Sequence, residues 1–254
     1  MTHLTRIVRG AAVALLTSGF VTGATMAQDV THKVGSTPSG VPFTFLDVKT
    51  NQIDGVMVDI IRAIGEDQGF KPEVEATQWS ALIPSLTSGK IDIIAAAMYA
   101  TEERAKVVTF TDTVYTYGEG LFVKSDDAGS YKSLDDLAGK TAGVQVGTAY
   151  VEPLKVSGKF ADVKVYDTIA DIMRDVALGR IDVGFGDRPI VAYQLSQSAS
   201  DVRLVPEYES QVTGNVAIAV RQDDADLLAK INAGLANIKA SGKLDEIIAK
   251  WGIN

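Results

Sequence analysis

Two segments ninety positions apart follow one pattern: Leu86-Thr87-Ser88-Gly89-Lys90-Ile91-Asp92-Ile93-Ile94 and Val176-Ala177-Leu178-Gly179-Arg180-Ile181-Asp182-Val183-Gly184. Each reads as the end of an amphipathic helix, a glycine stop, one basic residue and a short apolar strand. A chain that uses this unit twice is constrained to two related helix–strand halves. Past the first strand stands Arg104 and past the second Asp187, a cation and an anion at comparable places in the two halves. Such a pair suits a ligand that carries both charges.

Short β-rich runs alternate with helical patterns along the whole chain, which predicts α/β architecture with mainly parallel sheets. Val56, Met57, Ile60, Ile61 and Ile64 repeat at helical spacing before Gly65 and Gly69. A second helix is expected over residues 80–88, with Pro84 near its first turn, followed by a buried strand over 91–98. Thr168 with Asp171 forms a capping box for a helix striped by Ile169, Ile172, Met173, Val176 and Ala177. Strands over 141–146, 181–185 and 216–220 and two closing helices over 223–240 and 244–251 complete the pattern. Gly118 and Gly120 interrupt a long strand near 111–123, where they read equally as a hinge or as a bulge with close backbone contact.

The first 27 residues carry Arg6 and Arg9, an apolar run over 11–21 and the small residues of Thr25-Met26-Ala27, the pattern of a cleaved export signal. The mature chain is therefore expected to begin near Gln28, in the periplasm. With no cysteine in the sequence, neither a lipid anchor on a new terminal cysteine nor a disulfide is available. Without Arg6 and Arg9, 22 basic side chains face 32 acidic ones, a formal charge of −10. That balance argues against nucleic acid as a partner. Only His32 remains of the two histidines, which argues against a histidine metal cage or a Ser-His-Asp relay.

Six segments, in this order and spacing, carry a resemblance to a known family: Val41-Pro42-Phe43-Thr44-Phe45, Gly55-Val56-Met57-Val58-Asp59, Trp79-Ser80-Ala81-Leu82-Ile83-Pro84-Ser85-Leu86, Thr101-Glu102-Glu103-Arg104, Val144-Gln145-Val146-Gly147-Thr148 and Gly186-Asp187. Over the whole mature chain the sequence resembles the family 3 periplasmic solute-binding proteins of polar amino-acid ABC transporters. The resemblance implies a type 2 periplasmic binding protein, a Venus-flytrap of two α/β lobes joined by two crossing strands. It places residues 28–117 and 212–254 in lobe one and residues 118–211 in lobe two, and implies a monomer that uses no cofactor and serves an inner-membrane permease.

By the same resemblance Arg104 grips a ligand's α-carboxylate and Asp187 its α-ammonium. A planar guanidinium offers paired donors to a carboxylate, and an ionised aspartate only accepts. Without the family pattern, Arg104 beside Glu102 and Glu103 reads as a solvated helical turn, and Asp187 before Arg188-Pro189 as a helix cap. Trp79 reads either as core or as a flat wall against the ligand. Gly147-Thr148-Ala149 joins a strand to a helix start, where free N–H groups attract a carboxylate.

Departures from the family pattern are specific. Ala97-Met98-Tyr99 stands where a small hydroxyl residue is usual, which leaves the Ala97 carbonyl and the Tyr99 phenol for the ammonium. Gly40 stands where an aromatic lid is common. Thr37 replaces the acid typical of receptors for cationic amino acids, which argues against a lysine or arginine site. Gln145 and Glu119 remain as side-chain selectors. The resemblance also extends to periplasmic cyclohexadienyl-type dehydratases, for which Glu119 is the one acid or base the sequence offers.

Overall fold

The computed structural model describes residues 1–2, 30–197 and 199–253, so the expected export segment lies outside the described residues but for its first two positions. Strand β1 (Val30–Ser36) runs through the short strands β2 (Ser39–Gly40), β3 (Thr44–Asp47) and β4 (Gln52–Asp54) into helix α1 (Val56–Gln68). The stripe Val56, Met57, Ile60, Ile61 and Ile64 is buried, as helical spacing requires, and Gly69 ends the helix in the left-handed region at φ 70°. Gly65 lies inside this helix. There follow β5 (Phe70–Ala76), a 3₁₀ turn (Trp79–Ala81), α2 (Leu82–Thr87), β6 (Ile93–Tyr99), α3 (Glu102–Ala105), β7 (Thr109–Phe110) and the ten-residue β8 (Tyr115–Lys124).

A 3₁₀ turn (Leu134–Leu137), capped reciprocally by Ser133 and Asp136, leads into β9 (Thr141–Gln145). Helix α4 (Val151–Val156), β10 (Asp162–Tyr166), α5 (Ile169–Ala177), β11 (Val183–Asp187), α6 (Arg188–Gln197) and β12 (Val202–Leu204) build out this half. The chain then returns through β13 (Thr213–Val220) to α7 (Ala225–Ala240) and α8 (Lys243–Lys250).

The strand order is β10-β9-β11-β8-β13-β6-β1-β5. In this sheet β1 pairs parallel with β5 and β6, and β9 with β10 and β11, whereas β2, β3 and β4 form a separate antiparallel sheet. The larger sheet is nonetheless mixed, because β8 and β13 run antiparallel to their neighbours. The expectation of mainly parallel pairing fails at these two strands, which carry the chain between the halves instead of closing a βαβ unit.

Strand β8 changes partner along its length. Tyr115 to Gly118 pair with β13, whereas Glu119 to Val123 pair with β11. At Gly118 a Cβ would collide with the Ser210 side chain, so glycine here makes room for the second crossing segment. Its φ lies outside the left-handed region, and close contact is its structural role.

The two repeats are built alike down to single hydrogen bonds. Gly89 and Gly179 turn the chain at φ 74° and 67°. The next residue donates back into the helix, Lys90 to Ser85 O at 2.9 Å and Arg180 to Asp175 O at 2.9 Å. Ile91 and Ile181 then insert beneath Gly35 and Gly143, where an added Cβ would meet each isoleucine Cδ1 at 2.5 Å. Last, Asp92 and Asp182 dock on the neighbouring strand twice over. Asp92 N–H donates to Lys33 O at 2.8 Å and its carboxylate accepts from Lys33 N–H at 2.9 Å. Asp182 does the same to Thr141, at 3.0 and 2.7 Å. The repeated sequence thus encodes a helix stop, a core plug and a strand-start clamp, which aim β6 and β11, and the charges beyond them, at the same space.

Candidate ligand-binding cleft

Strand β6 is buried throughout, yet it does not run flat. Between Ala217 and Ala219 its register with β13 slips, and Ala97 adopts φ 54°. A left-handed alanine costs on the order of 1 kcal/mol, and such strain gathers at binding sites. The bulge turns the backbone at Ala97 into a cavity between the two halves of the molecule.

Just past β6, Thr101 caps α3 by accepting from Arg104 N–H at 3.3 Å. This short helix turns the Arg104 side chain back over the strand end. Arg104 Nη1 donates to Tyr99 O at 2.7 Å and Nη2 to Gly147 O at 2.8 Å, so one guanidinium joins both walls of the cleft. It lies 5.5 Å from the centre of the Trp79 ring, a cation–π contact. Burial pulls its pKa down, while Asp187 and nearby tyrosines oppose that pull.

On the opposite wall β11 ends at Asp187, paired in register with Glu119. Tyr150 donates its hydroxyl to Asp187 Oδ1 at 2.6 Å, while the Tyr117 hydroxyl donates to Ala97 O at 3.1 Å. Burial raises the Asp187 pKa to about 6 against the lowering effect of both phenols and of Arg104, and nearby Glu119 pushes it further up. Both charges are therefore held by neutral dipoles, Arg104 by two carbonyls and Asp187 by the Tyr150 phenol.

The cavity they border is narrow, with about 20 Å³ open to water, so an amino acid enters only when the walls part. Of the residues singled out from the sequence, Thr37, Gly40, Trp79, Ala97, Gln145 and Asp187 line it. Arg104 is not among the lining residues and neighbours them through Trp79, whose ring centre lies 5.5 Å from its guanidinium. Tyr99 contributes its carbonyl to Arg104, while its hydroxyl donates to Tyr117 O at 2.8 Å and its ring is buried. The Thr148 hydroxyl and N–H both turn back to Gln145 O, at 2.8 and 3.3 Å, and Ala149 packs against the core. The loop therefore faces Arg104 with the Gly147 carbonyl. Gln145 donates Nε2 to Asp167 O at 2.9 Å.

Glu119 is elsewhere. It is 0% exposed and absent from the cavity lining, so the expectation of a selector or catalytic group at this position is corrected. Oε1 accepts from the Tyr208 hydroxyl at 3.0 Å and from Gln211 N–H at 2.7 Å, and Oε2 from Val212 N–H at 2.9 Å. This carboxylate staples the first crossing strand to the second. Burial raises its pKa, and these donors pull it back.

Sequence reasoning missed two tyrosines beside the cavity, Tyr150 on Asp187 and Tyr117 on the Ala97 carbonyl. Tyr117 reaches from the crossing strand, its hydroxyl 3.1 Å from Ala97 O, and Tyr150 from the loop before α4. The only local trace of the first is the tyrosine-rich run Tyr115-Thr116-Tyr117.

Comparison with known proteins agrees with this architecture. Residues 32–254 match the model of the bacterial extracellular solute-binding proteins, family 3. The ABC transporter arginine-binding protein 1 of Escherichia coli (strain K12) is 31% identical over 244 residues, which cover 94% of this chain and 97% of that protein. Among solved structures, an ancestral arginine-binding protein bound to glutamine has a TM-score of 0.79 and 34% identity, covering 89% of this chain and 100% of the other. An ancestral amino acid-binding protein, described as a precursor of cyclohexadienyl dehydratase, has a TM-score of 0.78 and 32% identity, covering 87% and 95%. Two α/β halves joined through β8, with a cavity between them and a family match over nearly the whole described chain, lead to one assignment: this chain belongs to the bacterial extracellular solute-binding proteins, family 3.

Proposed function

We propose that the chain captures a small zwitterion, an amino acid or close derivative, by closure of its lobes outside the cytoplasmic membrane, and delivers it as a monomer to an ABC permease. The observation that carries this reading is the pair of charges on facing walls of one cavity, each held by neutral dipoles. Arg104 retains N–H donors beyond the two it gives to carbonyls, since a guanidinium has five, and these take the carboxylate. Asp187 takes the ammonium, beside the Ala97 carbonyl. Trp79 supplies a flat apolar wall.

Lobes of 28–117 with 212–254, and of 118–211, fit the change of partner along β8. A ligand that touches both lobes favours the closed arrangement by its difference in affinity for the two states. A relative named as an arginine-binding protein and a structural neighbour bound to glutamine support an amino acid as ligand. Dehydratase chemistry loses its one named acid or base, because the Glu119 carboxylate is fully engaged between the crossing strands.

Thermal-shift screening of the purified protein against amino acids tests the proposal, because a ligand that binds only the native state raises Tm. Arg104→Ala should remove the shift for every α-amino acid while the variant stays folded by circular dichroism. Unchanged affinity in Arg104→Ala by calorimetry would reject the site.

A further inference from the structure

We infer that the cleft selects a neutral amino acid whose side chain both donates and accepts hydrogen bonds, a primary carboxamide above all, and rejects cationic and anionic side chains; this rests on the amino-acid reading above. Among the described residues Asp187 is the one charged side chain in the cavity lining, and Arg104 lies beside it over Trp79. An amino acid commits both, one to its ammonium and one to its carboxylate. A third charge on the ligand then meets no opposite charge in the lining, and a buried unpaired charge is strongly disfavoured.

The remaining wall is polar but neutral. Thr37 Oγ1 and Thr44 Oγ1 lie 2.7 Å apart and share one hydrogen, in either direction. Both threonines line the cavity, so the second hydroxyl hydrogen of the pair is available to a ligand carbonyl oxygen. The Gln145 amide is oriented by its bond from Nε2 to Asp167 O, which leaves Oε1 as an acceptor for a ligand N–H. One donor and one acceptor on facing neutral side chains match a carboxamide. Phe43, Ile169 and Ile190 complete the lining with apolar surface for the methylenes before it. A site whose buried polar groups need partners rejects analogues that lack them more steeply than an apolar pocket rejects a missing methylene.

Calorimetry on the purified protein with glutamine, asparagine, leucine, arginine and glutamate reads this directly. Glutamine or asparagine is expected to bind at least about tenfold more tightly than each of the other three. Gln145→Glu places an anion on the neutral wall and should raise arginine affinity relative to glutamine about tenfold or more. Thr37→Val, which keeps the volume and removes the hydroxyl, should lower the glutamine-to-leucine ratio by about tenfold and guards against misfolding of the first variant. Preference of the unaltered protein for arginine, glutamate or leucine overturns the side-chain class and leaves the amino-acid reading standing. So does an unmoved ratio in both variants. Failure of a folded protein to bind any of the five overturns this inference, and failure of the wider thermal-shift screen against amino acids and their derivatives overturns the amino-acid reading with it.

Discussion

Replacing Asp187 with asparagine should make the protein more stable at neutral pH while destroying its site. The Asp187 carboxyl ordinarily titrates at 3.8, and burial moves it to about 6. For an acid whose folded pKa is raised, the stabilising contribution is complete below the unfolded value and disappears as pH rises through the folded one. Holding the charged form at pH 7.5 therefore costs roughly 3 kcal/mol. Asparagine removes that cost and can still accept from the Tyr150 hydroxyl, and the charge-assisted part of that bond already lies within the net shift. The gain approaches about 3 kcal/mol, or roughly 6–12 °C in Tm for a chain of this size. Differential scanning calorimetry without added amino acid, from pH 4 to 8, measures it. The advantage of Asp187→Asn should be near zero at pH 4 and grow to its full value by pH 7. Affinity for ammonium ligands should fall about 30-fold or more in the same variant, and in the unaltered protein should weaken as pH drops below about 6. A variant no more stable than the parent at pH 7.5, or a difference that ignores pH, would refute the reasoning.

Glu119→Ala leaves the Tyr208 hydroxyl and the N–H groups of Gln211 and Val212 without their acceptor, and should cost about 3–5 kcal/mol in urea unfolding. A loss under about 1 kcal/mol would mean that water replaces the staple. The duplicated aspartates should differ in a defined order. Asp182→Ala removes one exposed acceptor and should cost about 1 kcal/mol by the same measurement, whereas Asp92→Ala also releases Arg221 at 3.1 Å and should cost about 2–3 kcal/mol. Equal losses would show that Arg221 adds nothing to the clamp.

What was legible in the sequence follows from where local chemistry dictates structure. Glycine stops at Gly89 and Gly179, the capping pair Thr168 and Asp171, and the α1 stripe are all fixed within a few residues of chain, and each is found where expected. Strands β5 and β10 were not read as strands. They form the two ends of the sheet order, and their Lys71, Glu73, Glu75, Asp162 and Lys164 interrupt the apolar alternation that marks an inner strand. In the cleft, Arg104 and Asp187 stood out through the family resemblance and their matching places past β6 and β11, because the local pattern alone reads them as a helical turn and a helix cap. Their supports did not: Tyr150 lies 37 residues from Asp187 in sequence, and only the folded sheet brings the two together. Glu119 was misjudged for the same reason, since the donors that occupy it stand 89 to 93 residues away.

The contact from Arg104 to Gly147 bears on how a binding protein of this kind can work as a switch. A guanidinium on one wall already donates to a carbonyl on the other, so approach of the walls carries one charge-assisted hydrogen bond of its own, worth about 1.5–3 kcal/mol. That alone does not make a useful signal, because an interaction present without ligand moves the open–closed balance by a fixed amount. Under the proposed function, what a permease would read is the increment a ligand adds, through its carboxylate on Arg104 and its ammonium on Asp187. On that proposal the buried Asp187 charge would disfavour closure until an ammonium arrives, and then favour it. The same side chain that lowers stability at neutral pH would thus help make closure depend on the ligand, which is why Asp187→Asn should yield a protein that is sturdier and less responsive.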